Sequence, residues 1–307
     1  MTVDAVLIAG PTASGKSAAA HALAQEIGGA VINADSMQVY AETRILTARP
    51  ADEDTARAPH LLYGHVSVTE SYSAGRYQAE AGQALRTARE AGRIPIFAGG
   101  TGLYFGVLTD GIANIPAIPA GVREAAEALR NQIGAKAFHD ELAARDPVAA
   151  ERLRDGDTQR TLRAYEVFEA TGRPLSEWQK EMGEPLLAGL NLARFVLSPP
   201  RDVLHKRINA RFDSMIARGA LEEAKSLEGI RLSPTAAKII GLRELQSVAL
   251  GTLSMEEAGE LSKAATRQYA KRQLTWFRRR MSDWNWLEDQ QLGNILPVMI
   301  QMLNENA

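Results

Sequence analysis

The chain has 307 residues, 45% of them hydrophobic, a formal net charge of -2 and no cysteine. That length and apolar content fill a sizeable core and exclude a single small domain, while the near-neutral charge excludes a polycation that binds nucleic acid over its whole surface. The absence of cysteine excludes disulfides, thiolate metal sites and a cysteine nucleophile, so any metal must sit on oxygen or imidazole ligands. The start, Met1-Thr2-Val3-Asp4, has no basic n-region and no stretch approaches ~20 apolar residues, so a soluble cytoplasmic protein is expected.

A short apolar run at residues 6–9 leads into Gly10-Pro11-Thr12-Ala13-Ser14-Gly15-Lys16-Ser17, followed by an alanine-rich, helix-favouring stretch at 18–27. The eight residues fit the G-x-x-x-x-G-K-[ST] phosphate loop, and strand, loop and helix are the context the motif requires. Gly10 and Gly15 let backbone N–H groups turn inward as an anion nest, and the helix N-terminus adds its dipole. Lys16 would reach phosphate oxygens and the Ser17 hydroxyl would ligate magnesium; the bland alternative is a glycine-rich turn with an exposed lysine. Residues 30–34 read as a second strand ending at Asp35, with Ser36-Met37-Gln38-Val39-Tyr40 next. An acid at a strand's carboxyl edge beside a phosphate loop faces the crevice where α/β sheets bind ligands; a helix N-cap is the competing role.

Residues 41–60, polar and carrying Pro50 and Pro59, read as an irregular connection, and a third strand is expected through 62–68. A helix over 75–91 closes at Gly92, and a strand at 94–98 runs into Gly99-Gly100-Thr101-Gly102-Leu103-Tyr104. Such a cluster permits close backbone approach to a ligand or makes a tight strand-to-helix turn. From about Asp110 the texture changes: 115–119 looks like a hinge, 121–180 is helical in composition, and strand pattern returns at 195–198 before Pro199-Pro200. Residues 111–190 therefore read as a helical insertion into an α/β core formed by 1–110 and 191–307.

A helix over 202–218 places Leu204, Ile208, Phe212 and Met215 on one stripe and Arg207 and Arg211 a turn apart on a neighbouring face, where they could clamp phosphate or pair with surface acids. Ser254 and Glu257 form a capping box opening a helix to about Arg280. Between Lys263 and Arg280 stand seven basic residues and no acid, with Tyr269, Trp276 and Phe277 interleaved and Lys263, Arg267, Lys271 and Arg278 on one face. A solvated helix face normally mixes both signs, so this reads as a nucleic-acid patch. Residues 281–307, with Trp284, Trp286 and a short apolar helix near 295–303, are expected to pack on the core.

Taken together, the phosphate loop, Asn33-Ala34-Asp35-Ser36-Met37-Gln38-Val39-Tyr40, the run from Gly99 to Tyr104, Asp157-Thr158-Gln159-Arg160 with Arg163, Ile240-Gly241-Leu242-Arg243-Glu244-Leu245, and Thr266-Arg267-Gln268-Tyr269-Ala270-Lys271-Arg272-Gln273 with Trp276 resemble the bacterial tRNA dimethylallyltransferases. The matches are collinear; only the loop is generic. The resemblance implies a P-loop NTPase-like parallel sheet core flanked by helices, with an inserted all-helical domain. It also implies transfer of a dimethylallyl group from dimethylallyl diphosphate to N6 of the adenosine 3′-adjacent to the anticodon in tRNA.

On that reading the loop from Gly10 to Ser17, with Arg207 and Arg211, holds the diphosphate, and Mg²⁺ sits on Ser17. Asp35 is the general base, Lys16 stabilises the leaving group and Thr101 contacts or orients the adenosine. By resemblance Asp35, Ser36, Met37, Gln38, Arg123, Gln159, Arg160, Thr161, Leu162 and Arg163 contact the tRNA. Lys263, Arg267, Lys271, Arg272, Trp276 and Arg278 would hold the anticodon stem of a tRNA bound by a monomer. The chain departs from the family at Ala41-Glu42-Thr43-Arg44-Ile45-Leu46-Thr47, where a basic residue and a Met-Asp-Ile-Gly-Thr-like run are usual, and at Arg49, where Lys is common. The rival readings are an ATP-dependent kinase of a small molecule or nucleotide, and a nucleotide-gated RNA-binding module without catalysis.

Overall fold

The computed structural model describes residues 3–289 and 291–305. The chain divides into two compact units, Met1–Gly106 with Leu187–Ala307, and Val107–Leu186. Six strands, β1 (Ala5–Ala9), β2 (Gly29–Asn33), β3 (His60–Leu61), β4 (Ile94–Gly99), β5 (Leu192–Leu197) and β6 (Asn285–Leu287), form a parallel sheet in the order β3-β2-β4-β1-β5-β6. Helices α1 (Lys16–Ile27), α2 (Asp52–Arg57) and α3 (Ala74–Glu90) come before the second unit, α4 (Gly102–Thr109) runs across its first residues, and α5 (Ala120–Arg145), α6 (Pro147–Arg152), α7 (Thr158–Thr171) and α8 (Leu175–Trp178) lie within it. The first unit then resumes with α9 (Arg201–Ala217), α10 (Ala220–Ser226), α11 (Leu242–Ala249), α12 (Met255–Arg280) and α13 (Leu292–Glu305).

Every residue of β1 is buried, because a parallel strand covered on both faces needs a continuous apolar run. Val6 and Ile8 pack with Leu23 of α1, Ile96 of β4 and Phe195 of β5, and Ile295, Met299 and Leu303 of α13 join the same cluster. The chain leaves β1 for α1, then builds β4 on one side of β1 and β5 on the other. That reversal opens a crevice at the carboxyl ends of the strands. β1 delivers the phosphate loop there, β2 delivers Asp35 and β4 delivers the glycine loop.

The third strand differs from the expected 62–68: it pairs only Val31 with His60 and Ile32 with Leu61. Leu62 adopts φ 64, a left-handed conformation that a branched side chain rarely takes, which ends the ladder; Val66 makes only an isolated bridge to Tyr40. The connection expected to be irregular contains α2, six residues with none buried. β5 begins at Leu192, before the expected 195, and β6 is a three-residue strand with no readable alternation, recruited by pairing with β5.

In the second unit, Ala126, Phe138, Leu142, Ala164 and Tyr165 form the core. Gly134, at φ 83 and ψ 167, interrupts α5. Asp146 is fully buried and joins two helix starts: its carboxylate accepts from Ala149 N (3.0 Å), Ser176 N (2.9 Å) and Ser176 Oγ (2.6 Å). Asp146→Ala should therefore lower stability by about 2–4 kcal/mol, since it removes a cap and leaves buried donors unmet. Chemical denaturation of the full chain checks this; an unchanged midpoint would show that the carboxylate is dispensable to this unit.

Candidate active site

The phosphate loop is shaped by two left-handed residues, Ala13 at φ 63 and Gly15 at φ 97, with Ser14 N donating to Pro11 O at 3.1 Å. Lys16 opens α1 with only 7% of its surface exposed, and its Nζ donates to Pro11 O at 3.3 Å. Burial pulls its ammonium down to about 8, against the charge of Asp35, which raises it, and with Arg211, which lowers it further. Ser17, one residue on, is exposed, whereas the Ser14 hydroxyl is buried without a hydrogen-bond partner, as suits a donor to a bound anion. From α9, Arg207 Nη1 donates to Ser14 O at 3.1 Å and Arg211 Nη2 reaches Thr47 O at 3.5 Å. Burial lowers the Arg211 guanidinium and Asp35 raises it.

Asp35 is held by Asn33, a fully buried side chain whose Oδ1 accepts from Asp35 N (2.8 Å) and whose Nδ2 donates to the carbonyls of Asp35 (3.0 Å) and Leu62 (3.0 Å). The Asp35 Oδ1 accepts from Met37 N at 3.0 Å, and no helix follows within 36–40, so the helix N-cap role is replaced by a local turn. Oδ2 lies on the glycine-loop side, 3.4 Å from where a Cβ on Gly100 would stand. Besides Lys16 and Arg211, its charge reaches Tyr63, Tyr104 and Tyr269, whose hydroxyls are pushed up first by burial and then by Asp35. Thr101 Oγ1 accepts from Ser36 N (2.9 Å) and donates to Ser36 Oγ (3.1 Å), so the expected acceptor residues share one rim.

Helix α12 lies against both loops. A Cβ on Gly102 would fall 2.4 Å from ring atoms of Trp276, and one on Gly100 would fall 2.2 Å from Gln273 Nε2, so these glycines serve close approach. Gln273, buried, accepts from Thr12 N at 2.9 Å and donates to Gly100 O at 2.8 Å. Sequence reasoning included Gln273 in a motif without a role. Its signal was a lone amide in the buried stripe of Ala270, Gln273 and Phe277. Asn33 was likewise given no role, and Tyr269 was read only as an aromatic of the nucleic-acid patch.

The other expected RNA contacts divide by exposure. Ser36 and Met37 are half-buried, whereas Gln38 is buried and its Nε2 donates to the carbonyls of Thr47 (2.9 Å) and Ala48 (3.0 Å). The atypical stretch is anchored by Glu223, whose carboxylate accepts from Ile45 N (2.7 Å) and Leu46 N (2.8 Å). On α12, Lys271, Arg272 and Arg278 are exposed, with Arg272 over the Tyr269 ring. Lys263 is ion-paired with Asp213 at 2.8 Å, and Arg267 donates to Asn209 at 3.0 Å. A groove of about 520 Å³ between α9 and α12 is lined by Arg201, His205, Arg267, Lys271 and Arg278. In the helical unit Arg123 (paired with Glu127), Gln159 and Arg160 are exposed. Thr161 is buried and donates to Asp157 O, Leu162 packs on the core of that unit, and Arg163 pairs with Glu166 at 3.0 Å.

Residues 38–280 match the family described as IPP transferase, and residues 3–69 match isopentenyl transferase. The chain belongs to the IPP transferase family. It is 49% identical over 300 residues to a tRNA dimethylallyltransferase of Nitrobacter hamburgensis, covering 96% of this chain and 95% of that one. It is 50% identical over 289 residues to one from Bradyrhizobium sp. strain BTAi1, covering 94% and 95%. Among solved structures, the full-length tRNA isopentenylpyrophosphate transferase of Bacillus halodurans aligns with a TM-score of 0.68 at 34% identity, covering 99% of this chain and 97% of that one. A eukaryotic dimethylallyltransferase captured acting on tRNA aligns with a TM-score of 0.79 at 28% identity, covering 94% and 74%. The P-loop-like parallel sheet with flanking helices is thus the fold of the family.

The lowered Lys16 makes anion affinity pH-dependent. Below about 8 the ammonium is already charged, whereas above it each binding event must first take up a proton, so the Kd for inorganic pyrophosphate should rise by up to about tenfold per pH unit. Calorimetry from about pH 7 to about pH 9 in buffers of different ionisation enthalpy checks this, and Lys16→Met should abolish the linked proton uptake.

Proposed function

We propose that this chain transfers the dimethylallyl group of dimethylallyl diphosphate to N6 of the adenosine 3′-adjacent to the anticodon in tRNA. The observation that carries the reading is Asp35: a half-buried carboxylate at the end of β2, its Oδ2 facing the glycine loop, with its charge felt by Lys16 and Arg211. Family membership supplies the reaction class. An exocyclic adenine amine is a poor nucleophile because its lone pair is delocalised into the ring. Asp35 accepts the amine proton as the N–C bond forms, while the C–O bond to diphosphate breaks and its electron pair stays on the departing oxygen.

The loop N–H groups, Lys16, Arg207 and Arg211 stabilise that developing charge. Thr101, fixed to Ser36, orients the base, which must leave its stack at a cost of a few kcal/mol repaid by contacts in the pocket. The raised phenols Tyr104 and Tyr269 stay neutral at neutral pH, so they add hydrogen-bonding surface without competing negative charge. The exposed Ser17 hydroxyl at the start of α1 is an oxygen donor that would hold a hard cation such as Mg²⁺. Among the described residues no cluster of three acids or histidines could hold a metal, so a cation there would depend on oxygen donors of the substrate in addition to Ser17. When bound it supplies charge neutralisation on the diphosphate.

For RNA, Lys271, Arg272 and Arg278, with Arg267, Trp276 and Lys263 beside them, would hold the anticodon stem, with Met37 and Gln38 near the loop. The helical unit would present Arg123, Gln159 and Arg160 to the anticodon loop, with Thr161, Leu162 and Arg163 shaping that surface. Among the described residues no helix is long and apolar enough to cross a membrane; the enzyme would work on tRNA in the cytoplasm as a monomer. An ATP-dependent kinase would use the same loop, but the family does not favour it.

With labelled dimethylallyl diphosphate and tRNA, wild-type chain should move label into RNA. Asp35→Ala should slow this by about 10²–10⁴-fold while retaining pyrophosphate binding. Phosphate transfer from ATP to a small acceptor, with no label in RNA, would overturn the reading.

A further inference from the structure

One side chain joins the two backbone loops that meet in the crevice. Gln273 is 5% exposed, and both ends of its amide are engaged: Oε1 accepts from Thr12 N at 2.9 Å and Nε2 donates to Gly100 O at 2.8 Å. Thr12 belongs to the loop that would hold the diphosphate. Gly100 precedes Thr101, which is bonded to Ser36 beside Asp35. A neutral amide suits both partners, as would a protonated carboxyl. A carboxylate would accept from Thr12 but face the Gly100 carbonyl oxygen to oxygen, and a thioether or alkyl chain would leave both backbone groups unmet. Gly100 has room for no Cβ, since one would stand 2.2 Å from Nε2. On the same helix Trp276 packs on Gly102, and Lys271 and Arg272 are exposed.

We infer that Gln273 is a positioning residue that sets the separation between the donor loop and the acceptor loop and ties it to the helix that would dock RNA. This rests on the transfer reading above. Gln273 touches neither reacting atom; it acts through Thr12 and Gly100. A displacement of about 1 Å between reactants costs on the order of 10²-fold in rate, so the effect falls on the chemical step and spares substrate capture.

The test compares the full-length wild type with Q273M, Q273E, G100A and the Q273M/G100A double variant. It measures single-turnover transfer from dimethylallyl diphosphate to tRNA, steady-state KM, pyrophosphate Kd and the thermal midpoint. Q273M should lower the transfer rate about 10–100-fold, with KM for dimethylallyl diphosphate and pyrophosphate Kd within about threefold of wild type. G100A severs the same link from its other end. It should cause a comparable loss, and the double variant should be no slower than the slower single one.

Q273E should recover toward wild type, rate for rate at each pH, as the pH falls and a protonated carboxyl can donate to Gly100 O. Should Q273M fail to fold, Q273E and G100A report on the same link. Additive losses in the double variant, a loss confined to KM, or a Q273M rate equal to wild type would overturn the inference. A wild-type chain that transfers nothing would instead overturn the transfer reading itself.

Discussion

Two backbone groups just past the carboxyl ends of the neighbouring strands β1 and β4, Thr12 N–H and Gly100 C=O, are satisfied by one amide on α12. That pair of hydrogen bonds to a single side chain holds α12 against the carboxyl ends of β1 and β4. Trp276 then meets Gly102 with no space for a side chain between them. Lys16 and the Tyr104 and Tyr269 hydroxyls lie buried around these loops, in surroundings less polar than water. In such a medium a fixed charge acts further and more strongly than in water.

Asp35 is the acid in this region whose field reaches Lys16, Arg211 and three tyrosines. Its two oxygens have different surroundings: Oδ1 closes a local turn with Met37 N, and Oδ2 faces the glycine loop. Turn and site are therefore one device, because the bond that fixes the backbone also aims the other oxygen. On the opposite side, cations gather about the phosphate loop, with Arg207 on the Ser14 carbonyl. A carboxylate on the acceptor side and cations on the donor side suit a reaction that takes a proton from one partner while charge grows on the other.

The two sides of α12 divide the work of the helix. Ala270, Gln273 and Phe277 are turned into the molecule, and Lys271, Arg272 and Arg278 face solvent. One cation of the helix is compensated, since Asp213 pairs with Lys263, while Arg267 keeps its charge with its guanidinium oriented by Asn209. The helical unit is organised differently, around a small aromatic core and the buried Asp146 that caps two helix starts. The stretch that departs from the family pattern is held by Glu223 across a span of 178 residues, so a different local sequence still has a defined conformation.

Features that depend on neighbours along the chain were legible in the sequence: the phosphate loop between β1 and α1, Asp35 at the end of β2, the glycine loop after β4, and the Ser254–Glu257 capping box that opens α12, which ends at Arg280. Each is written in a few contiguous residues, because helix periodicity, caps and glycine turns are short-range. Tertiary structure alone decided that β3 stops at Leu61, that Asn285–Leu287 forms a sixth strand on β5, and that Lys263 is paired. It alone placed Gln273 on Thr12, 261 residues away. A lone glutamine in an apolar stripe shows that a buried polar partner must exist, but hydrogen-bond satisfaction does not name it until packing brings the two backbone groups within reach.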